Sequence, residues 1–143
     1  MRKNGFTMVE LLLVIGLTIV VGSMSAIFYS RFLIQTAVLN AVDQVAGQMR
    51  KAQTYAMAGK QNGNWGVSFT APTLILYSGN SYALRNSVFD EEFRVNSNVS
   101  ISGLTDVNFG RMTGLPGAAA VIVVSGGNNS QTISINSQGT VDR

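Results

Sequence analysis

Residues 5–21 read Gly5-Phe6-Thr7-Met8-Val9-Glu10-Leu11-Leu12-Leu13-Val14-Ile15-Gly16-Leu17-Thr18-Ile19-Val20-Val21. From Phe6 to Ser30 the only charged side chain is that of Glu10. A helix rises about 1.5 Å per residue, so this stretch is long enough to cross a bilayer core of about 30 Å. Residues 6–30 are therefore predicted to form the transmembrane half of an N-terminal helix.

Charges around the apolar stretch predict its orientation. Arg2 and Lys3 precede it, and the positive-inside rule keeps such a basic end in the cytoplasm. The chain beyond Arg31 is then outside the cytoplasm. The expected location is the cell inner (cytoplasmic) membrane, as a single-pass protein.

The helical pattern continues beyond the membrane stretch. Apolar residues recur at spacings of three and four, which places them on one helical face. They are Val38, Val42, Val45, Met49, Ala52 and Ala56. Gly59 follows and is predicted to stop the helix. Residues 31–58 are thus expected to be an amphipathic half whose apolar stripe packs under a globular head.

Residues 59–143 are predicted to form that head. Short β-type runs alternate with turn residues, which is typical of antiparallel strands. The predicted strands are Trp65–Thr70, Thr73–Ser78, Ser81–Ser87, Phe93–Val95, Val99–Ser102, Val107–Phe109, Ala119–Ser125, Thr132–Asn136 and a stub at Thr140-Val141. Gly79-Asn80 is predicted to be the turn of a hairpin. The expected fold class is α+β, a long N-terminal helix packed on a small antiparallel β-sheet.

Gly5-Phe6-Thr7-Met8-Val9-Glu10 resembles the class III signal of type IV pilins and type II secretion pseudopilins. The resemblance implies a leader peptide, residues 1–5, and a prepilin peptidase that cuts between Gly5 and Phe6. It also implies methylation of the Phe6 amine, a role for Phe6 and Glu10 in subunit assembly, and a pilin-like fold. The implied partners are the prepilin peptidase, other pilin or pseudopilin subunits, the inner membrane assembly platform and membrane lipid. Assembly would place the chain in a pilus or pseudopilus.

The end of the chain is similar to the GspH/FimT group of minor pilins and pseudopilins. Phe109, Gly114 and Pro116 are followed by a strand and then by Gly139, in the order of that group. The head also lacks the cysteine pair that many major pilins carry. The resemblance implies a minor pilin or pseudopilin.

Glu10 also stands out on physical grounds. An acidic side chain within an apolar run is costly, so such residues are functional hypotheses by default. After cleavage the Phe6 amine would be a cation about one helical turn away along the axis. A neighbouring subunit shifted by one turn would bring its own amine to Glu10. The alternative is that Glu10 is an interfacial residue near the end of the span.

Composition excludes several functional classes. The chain has no Cys and no His, which rules out disulfides, thiol or imidazole catalysis and ordinary zinc sites. No enzyme activity, cofactor or metal site is predicted. Without Arg2 and Lys3, eight of the ten basic residues remain against seven acidic ones, so the mature chain would be almost neutral.

Four alternatives remain open. The basic residues Lys60, Arg85, Arg94, Arg111 and Arg143 could bind DNA, as a DNA- or surface-binding minor pilin requires. Asp90-Glu91-Glu92 could bind calcium, although such a run is more often a solvated loop. The apolar stretch could be a secretory signal peptide cleaved near Ala26, or a plain membrane anchor. Trp65 is expected to be a core residue rather than a ligand platform.

Overall fold

A computed structural model describes residues 5–143, with the backbone alone for residues 24–27. The chain divides into two units, one up to Leu33 and one from Ile34 to Arg143. A single helix, α1, spans Met8–Met57. The Gly59 N–H donates to the Ala56 carbonyl at 3.0 Å, and Gly59 has a left-handed conformation with φ 62°. Gly59 is therefore the predicted helix stop.

The first unit consists of the apolar part of α1. Its large side chains are exposed, among them Leu12, Leu17 and Ile19. The most apolar window of 18 residues has a mean hydropathy of 2.5 and is not buried at all. By length and composition, α1 is the one helix among the described residues that is compatible with a membrane span. The predicted leader residues Met1–Asn4 lie outside the described part of the chain.

The second half of α1 is the centre of the second unit. Every residue of the predicted stripe is buried, and Ala41 and Ala46 are buried beside it. Val45, Met49, Ala52 and Ala56 have no exposed surface. This half of the helix is thus a core element, as its periodicity predicts.

Eight strands follow the helix. Their bounds are Trp65–Thr70 (β1), Thr73–Ser78 (β2), Asn86–Arg94 (β3), Ser100–Ser102 (β4), Asp106–Phe109 (β5), Ala120–Gly126 (β6), Asn129–Ile135 (β7) and Val141–Asp142 (β8). Short 3₁₀ turns lie at Lys60–Asn62 and Tyr82–Leu84. All pairings are antiparallel. The fold is therefore α+β and pilin-like.

The strands form two four-stranded sheets rather than one. Sheet A has the order β3-β2-β1-β5, and sheet B has the order β4-β6-β7-β8. Buried side chains of both sheets join those of the helix in one hydrophobic core. Sheet A contributes Trp65, Val67, Leu74, Leu76 and Phe109, and sheet B contributes Ile122, Val124, Ile133 and Ile135. Trp65 is 1% exposed, so it is a core residue, as expected.

The predicted strand Ser81–Ser87 and the hairpin at Gly79-Asn80 are wrong. Ser81 Oγ instead accepts a hydrogen bond from the Leu84 N–H, which closes a 3₁₀ turn. The Asp106 carboxylate accepts from the Tyr82 N–H at 3.0 Å and from the Tyr77 hydroxyl. These bonds hold residues 81–84 against β5. Strand pairing with β2 therefore begins only at Asn86.

Tyr77 connects this segment to the core. Its side chain is fully buried, and its hydroxyl lies between Asp106 and the Asn108 amide. Burial, together with the hydrogen bond to Asp106, raises the pKa of Tyr77 well above its ordinary range. The Tyr77 hydroxyl therefore keeps its proton, and its hydrogen bond to Asp106, into more alkaline solution than an ordinary tyrosine does.

The burial of α1 predicts that Val45→Asp destabilises a chain beginning at Arg31. Val45 has no exposed surface, so the substitution would bury an unpaired carboxylate. The expected loss is about 3–5 kcal/mol, a large part of the stability of a small domain. Thermal melts followed by circular dichroism measure it.

Leu39→Asp is the matched control, because Leu39 lies on the same helix and is 47% exposed. Its melting temperature should stay close to that of the parent segment. Equal melting of the Val45→Asp and parent segments would show that the head does not cover the stripe.

Candidate functional site

The first turn of α1 is built by a reciprocal pair of side chains. The Glu10 N–H donates to Thr7 Oγ1, and the Thr7 N–H donates to Glu10 Oε2, both at 3.3 Å. The Thr7 carbonyl accepts from the Leu11 N–H at 3.1 Å. This is the capping-box arrangement, in which Thr7 is the N-cap and Glu10 is the third helical residue.

Thr7 is a site residue that sequence reasoning missed. The signal was present, because a Thr followed three residues later by a Glu, ahead of an apolar run, is the capping-box pattern. In the sequence, Glu10 is identified by its charge within an apolar stretch and by its position in the motif that resembles the class III signal. The structure gives it a second function, since its carboxylate also fixes where the helix begins.

Phe6 and Glu10 both lie at the open surface of the first unit. Phe6 is 83% exposed, and Glu10 is exposed as well. Within residues 5–143, all hydrogen bonds to the Glu10 side chain come from Thr7 and reach Oε2. Oε1 of Glu10 therefore remains able to accept a hydrogen bond from a cation of another molecule.

Comparison with known proteins leaves the family open. The chain matches no protein-family model, no curated protein and no solved structure. Functional conclusions therefore depend on the residues of this chain.

The four residues that resemble the GspH/FimT pattern come together beside the C-terminal end of α1. Phe109 is fully buried and forms an antiparallel bridge with Pro116. A side-chain Cβ on Gly114 would lie 2.5 Å from Met57 Cγ, and one on Gly139 would lie 2.8 Å from the Gly114 carbonyl oxygen. Both glycines therefore allow a close approach of two loops and the helix.

Hydrogen bonds attach the loop after β5 to the helix. Gln53 Nε2 donates to the Gly114 carbonyl at 3.0 Å, and the Met112 N–H donates to the Ala56 carbonyl at 2.9 Å. The Ala56 carbonyl, in the last turn of the helix, thus accepts from Met112 as well as from Gly59. We conclude that Phe109, Gly114, Pro116 and Gly139 are a structural junction.

The acidic run Asp90-Glu91-Glu92 lies in strand β3, so the expectation of a solvated loop is wrong. Lys51 Nζ contacts Glu91 Oε2 at 2.5 Å, and Arg85 Nε contacts Asp90 Oδ2 at 2.7 Å. The hydrogen bond to Glu91 raises the pKa of Lys51. Glu91 and Asp90 are thus each paired with a different basic side chain of the protein. Among the described residues, no group of three or more Asp and Glu side chains could hold a metal ion.

Three of the five basic residues proposed for DNA binding are already engaged within the chain. Arg85 is paired with Asp90, and Arg143 with Asp43. Lys60 Nζ lies 3.6 Å from the centre of the Tyr55 ring. Across residues 5–143, Arg94 and Arg111 form no ion pair. DNA binding therefore stays an untested alternative, with Arg94 and Arg111 as the residues of that set that are not paired.

The junction predicts that Gly139→Ala destabilises a chain beginning at Arg31. Gly139 has φ 81°, which an alanine adopts with strain, and its new Cβ would clash with the Gly114 carbonyl. The expected loss is about 1–3 kcal/mol, measured as a shift of the urea unfolding midpoint.

Gly117→Ala is the control for this measurement. A Cβ at Gly117 meets nothing within 4 Å, so the midpoint should be unchanged or slightly higher. If Gly139→Ala unfolds at the same urea concentration as Gly117→Ala, the close approach at the junction is not required.

Proposed function

We propose that the chain is a minor pilin or pseudopilin subunit, which a prepilin peptidase cleaves and which assembles into a type IV pilus or a type II secretion pseudopilus. The observation that carries this proposal is the segment Gly5–Glu10. It places a short cleavage-type motif and a helix-capping carboxylate at the start of a helix whose first half is apolar and exposed.

The division of α1 supports this function. A plain membrane anchor needs only the first, apolar half of the helix. Here the stripe from Val38 to Ala56 is the core of the head, while the large apolar side chains between Met8 and Val20 are exposed. A bundle of such helices, each attached to its own head, would cover the apolar half.

Glu10 is proposed to set the register of that bundle. A charge pair 4 Å apart contributes roughly 4 kcal/mol at an effective dielectric of 20, before desolvation is subtracted. Most of that gain is offset in an apolar bundle. The pair between Glu10 and the Phe6 amine of a neighbour would therefore select one axial offset rather than supply the bulk stability.

The proposed partners follow from this assembly. The prepilin peptidase acts on Gly5-Phe6, other subunits and membrane lipid contact the apolar helix, and the inner membrane assembly platform inserts the subunit into the filament. The head would lie outside the cytoplasm, in agreement with Arg2 and Lys3 at the other end of the apolar stretch.

Processing at Gly5 gives the first prediction of this function. When the chain is produced together with a prepilin peptidase, the mature N-terminus should be Phe6, carrying one methyl group. Intact-mass spectrometry measures both changes.

A Gly5→Val chain is the control and should keep its full mass, because the residue before the scissile bond is changed. A terminus at Met1 in the parent chain would favour a plain membrane anchor. A terminus near Ala26 would favour a secretory signal peptide.

Glu10→Ala should insert into the membrane at least as well as the parent chain, because it removes a charge from the apolar stretch. It should lower incorporation into filaments several-fold, since the Phe6 amine of a neighbour loses its partner. Immunoblots of sheared filaments, normalised to membrane levels, measure incorporation.

Thr7→Ala separates the two functions of Glu10. It also breaks the capping box, but it leaves the carboxylate charge in place. Incorporation of Thr7→Ala should exceed that of Glu10→Ala. Equal losses in the two variants would assign the effect to the helix cap and would refute the register function.

A further inference from the structure

Charge is distributed unevenly over the head. Residues 112–141, thirty in a row, include no Lys, Arg, Asp or Glu, and residues 95–105 include none either. These two ranges contain all of β4, β6 and β7. Three of the four strands of sheet B are therefore free of ionisable side chains.

The outer face of sheet B is a regular grid of short side chains. Alternate residues of β6 and β7, such as Ile122 and Ile133, are buried in the core, so the residues between them face outward. The strand register aligns them in three rows, Ser100–Ser125–Ser130, Ser102–Val123–Thr132 and Val121–Ser134–Asp142. We call this surface the grid face.

The grid face has the properties of a surface that meets its own copy. A symmetric contact between two copies places one patch against the same patch, so a charged patch tends to oppose like charges. The grid face avoids that repulsion. Its one charged residue, Asp142, lies at a corner in the row of Val121 and Ser134. A two-fold axis near Val123 and Thr132 would keep the two Asp142 carboxylates apart.

We propose that the grid face is where two copies of this chain pack sheet against sheet. The proposal rests on the membrane anchoring of the proposed function, since both copies must lie in one membrane. Serine, threonine and valine side chains are short, so two such faces can approach closely while their hydroxyl groups hydrogen-bond across the contact.

The size of the grid face explains why anchoring is needed. Its nine outward positions, on strands about 4.8 Å apart and about 6.8 Å apart along each strand, cover roughly 300 Å² per copy. Two copies would bury about 600 Å², whereas stable interfaces bury about 1,200–2,000 Å². The contact should therefore be weak between free heads. Confinement of both helices to one bilayer raises the effective concentration and allows it to form.

Single-cysteine crosslinking tests the proposal, because the chain has no Cys of its own. Thr132→Cys places a thiol near the centre of the grid face, where it is exposed. The full chain is reconstituted in phosphatidylcholine vesicles without prepilin peptidase and treated with an oxidant. Disulfide-linked dimer is then measured on non-reducing gels.

Thr70→Cys is the matched control, an exposed threonine at the end of β1 in sheet A. The Thr132→Cys chain should give several-fold more dimer than the Thr70→Cys chain, which reports random collisions in the bilayer. Equal dimer yields from the two positions would overturn the proposal. In native membranes, a disulfide crosslink of the Thr132→Cys chain to a different protein, without any dimer, would also overturn the proposal.

A charge at the centre provides a second test. Val123 is only half-buried and faces outward, so Val123→Lys can keep its ammonium group in water. In the Thr132→Cys chain, Val123→Lys should lower the dimer yield to the control level, and Val123→Thr should retain it. Unchanged thermal melting of the full chain in the same vesicles verifies that both variants fold. Full crosslinking of a folded Val123→Lys chain would refute the contact.

The tests separate this proposal from the proposed function. Crosslinking in vesicles needs no cleavage at Gly5, so a chain that is never processed can still form the dimer. A chain that is processed to Phe6 can fail to crosslink, which would remove the grid-face contact and leave the pilin function intact.

Discussion

The contact between the apolar stripe of α1 and the inner faces of both sheets is the interaction on which the head depends. Among the described residues, sheets A and B share no hydrogen-bonded strand pair, and their buried side chains meet those of the helix in one core. Ala41, Ala52 and Ala56 are buried and have short side chains, so strands and loops can pack close to the helix backbone there. Because one helix serves both sheets, a charge placed in its stripe would disturb both at once.

Two different environments thus act on one helix. The second half has its packing partners within the chain, while the first half offers large apolar side chains such as Leu12 and Ile19 to an outside environment. Bilayer lipid or other apolar helices are the environments in which such a surface is stable. Thr7 and Glu10 mark the point where this apolar surface begins, because their reciprocal hydrogen bonds define the first turn.

Local patterns predicted much of the fold, and long-range contacts account for what they missed. Strands β1 and β2 have their predicted bounds, because both are β-type runs separated by Ala71-Pro72. The segment after Ser78 could not be predicted in this way, since the carboxylate that binds the Tyr82 N–H belongs to Asp106, 24 residues further on. The proximity of Gly114 and Gly139 is hidden for the same reason. Thr7, by contrast, could have been found from its spacing to Glu10.

The edges of both sheets bear on how copies of the chain can meet. Edge strands tend to pair with other chains unless they are short, charged, bulged or covered. The edge strand β3 carries the charged residues 90–92 and has an irregular register between Leu76 and Ser78. The outer edge of β5 is covered at Phe109 by Pro116, and the edge strands β4 and β8 have only three and two residues. Strand addition at an edge is therefore disfavoured in both sheets. Of the two sheets, the faces rather than the edges are then available for a contact between two heads, and the strands β4, β6 and β7 bring no charge to the outer face of sheet B.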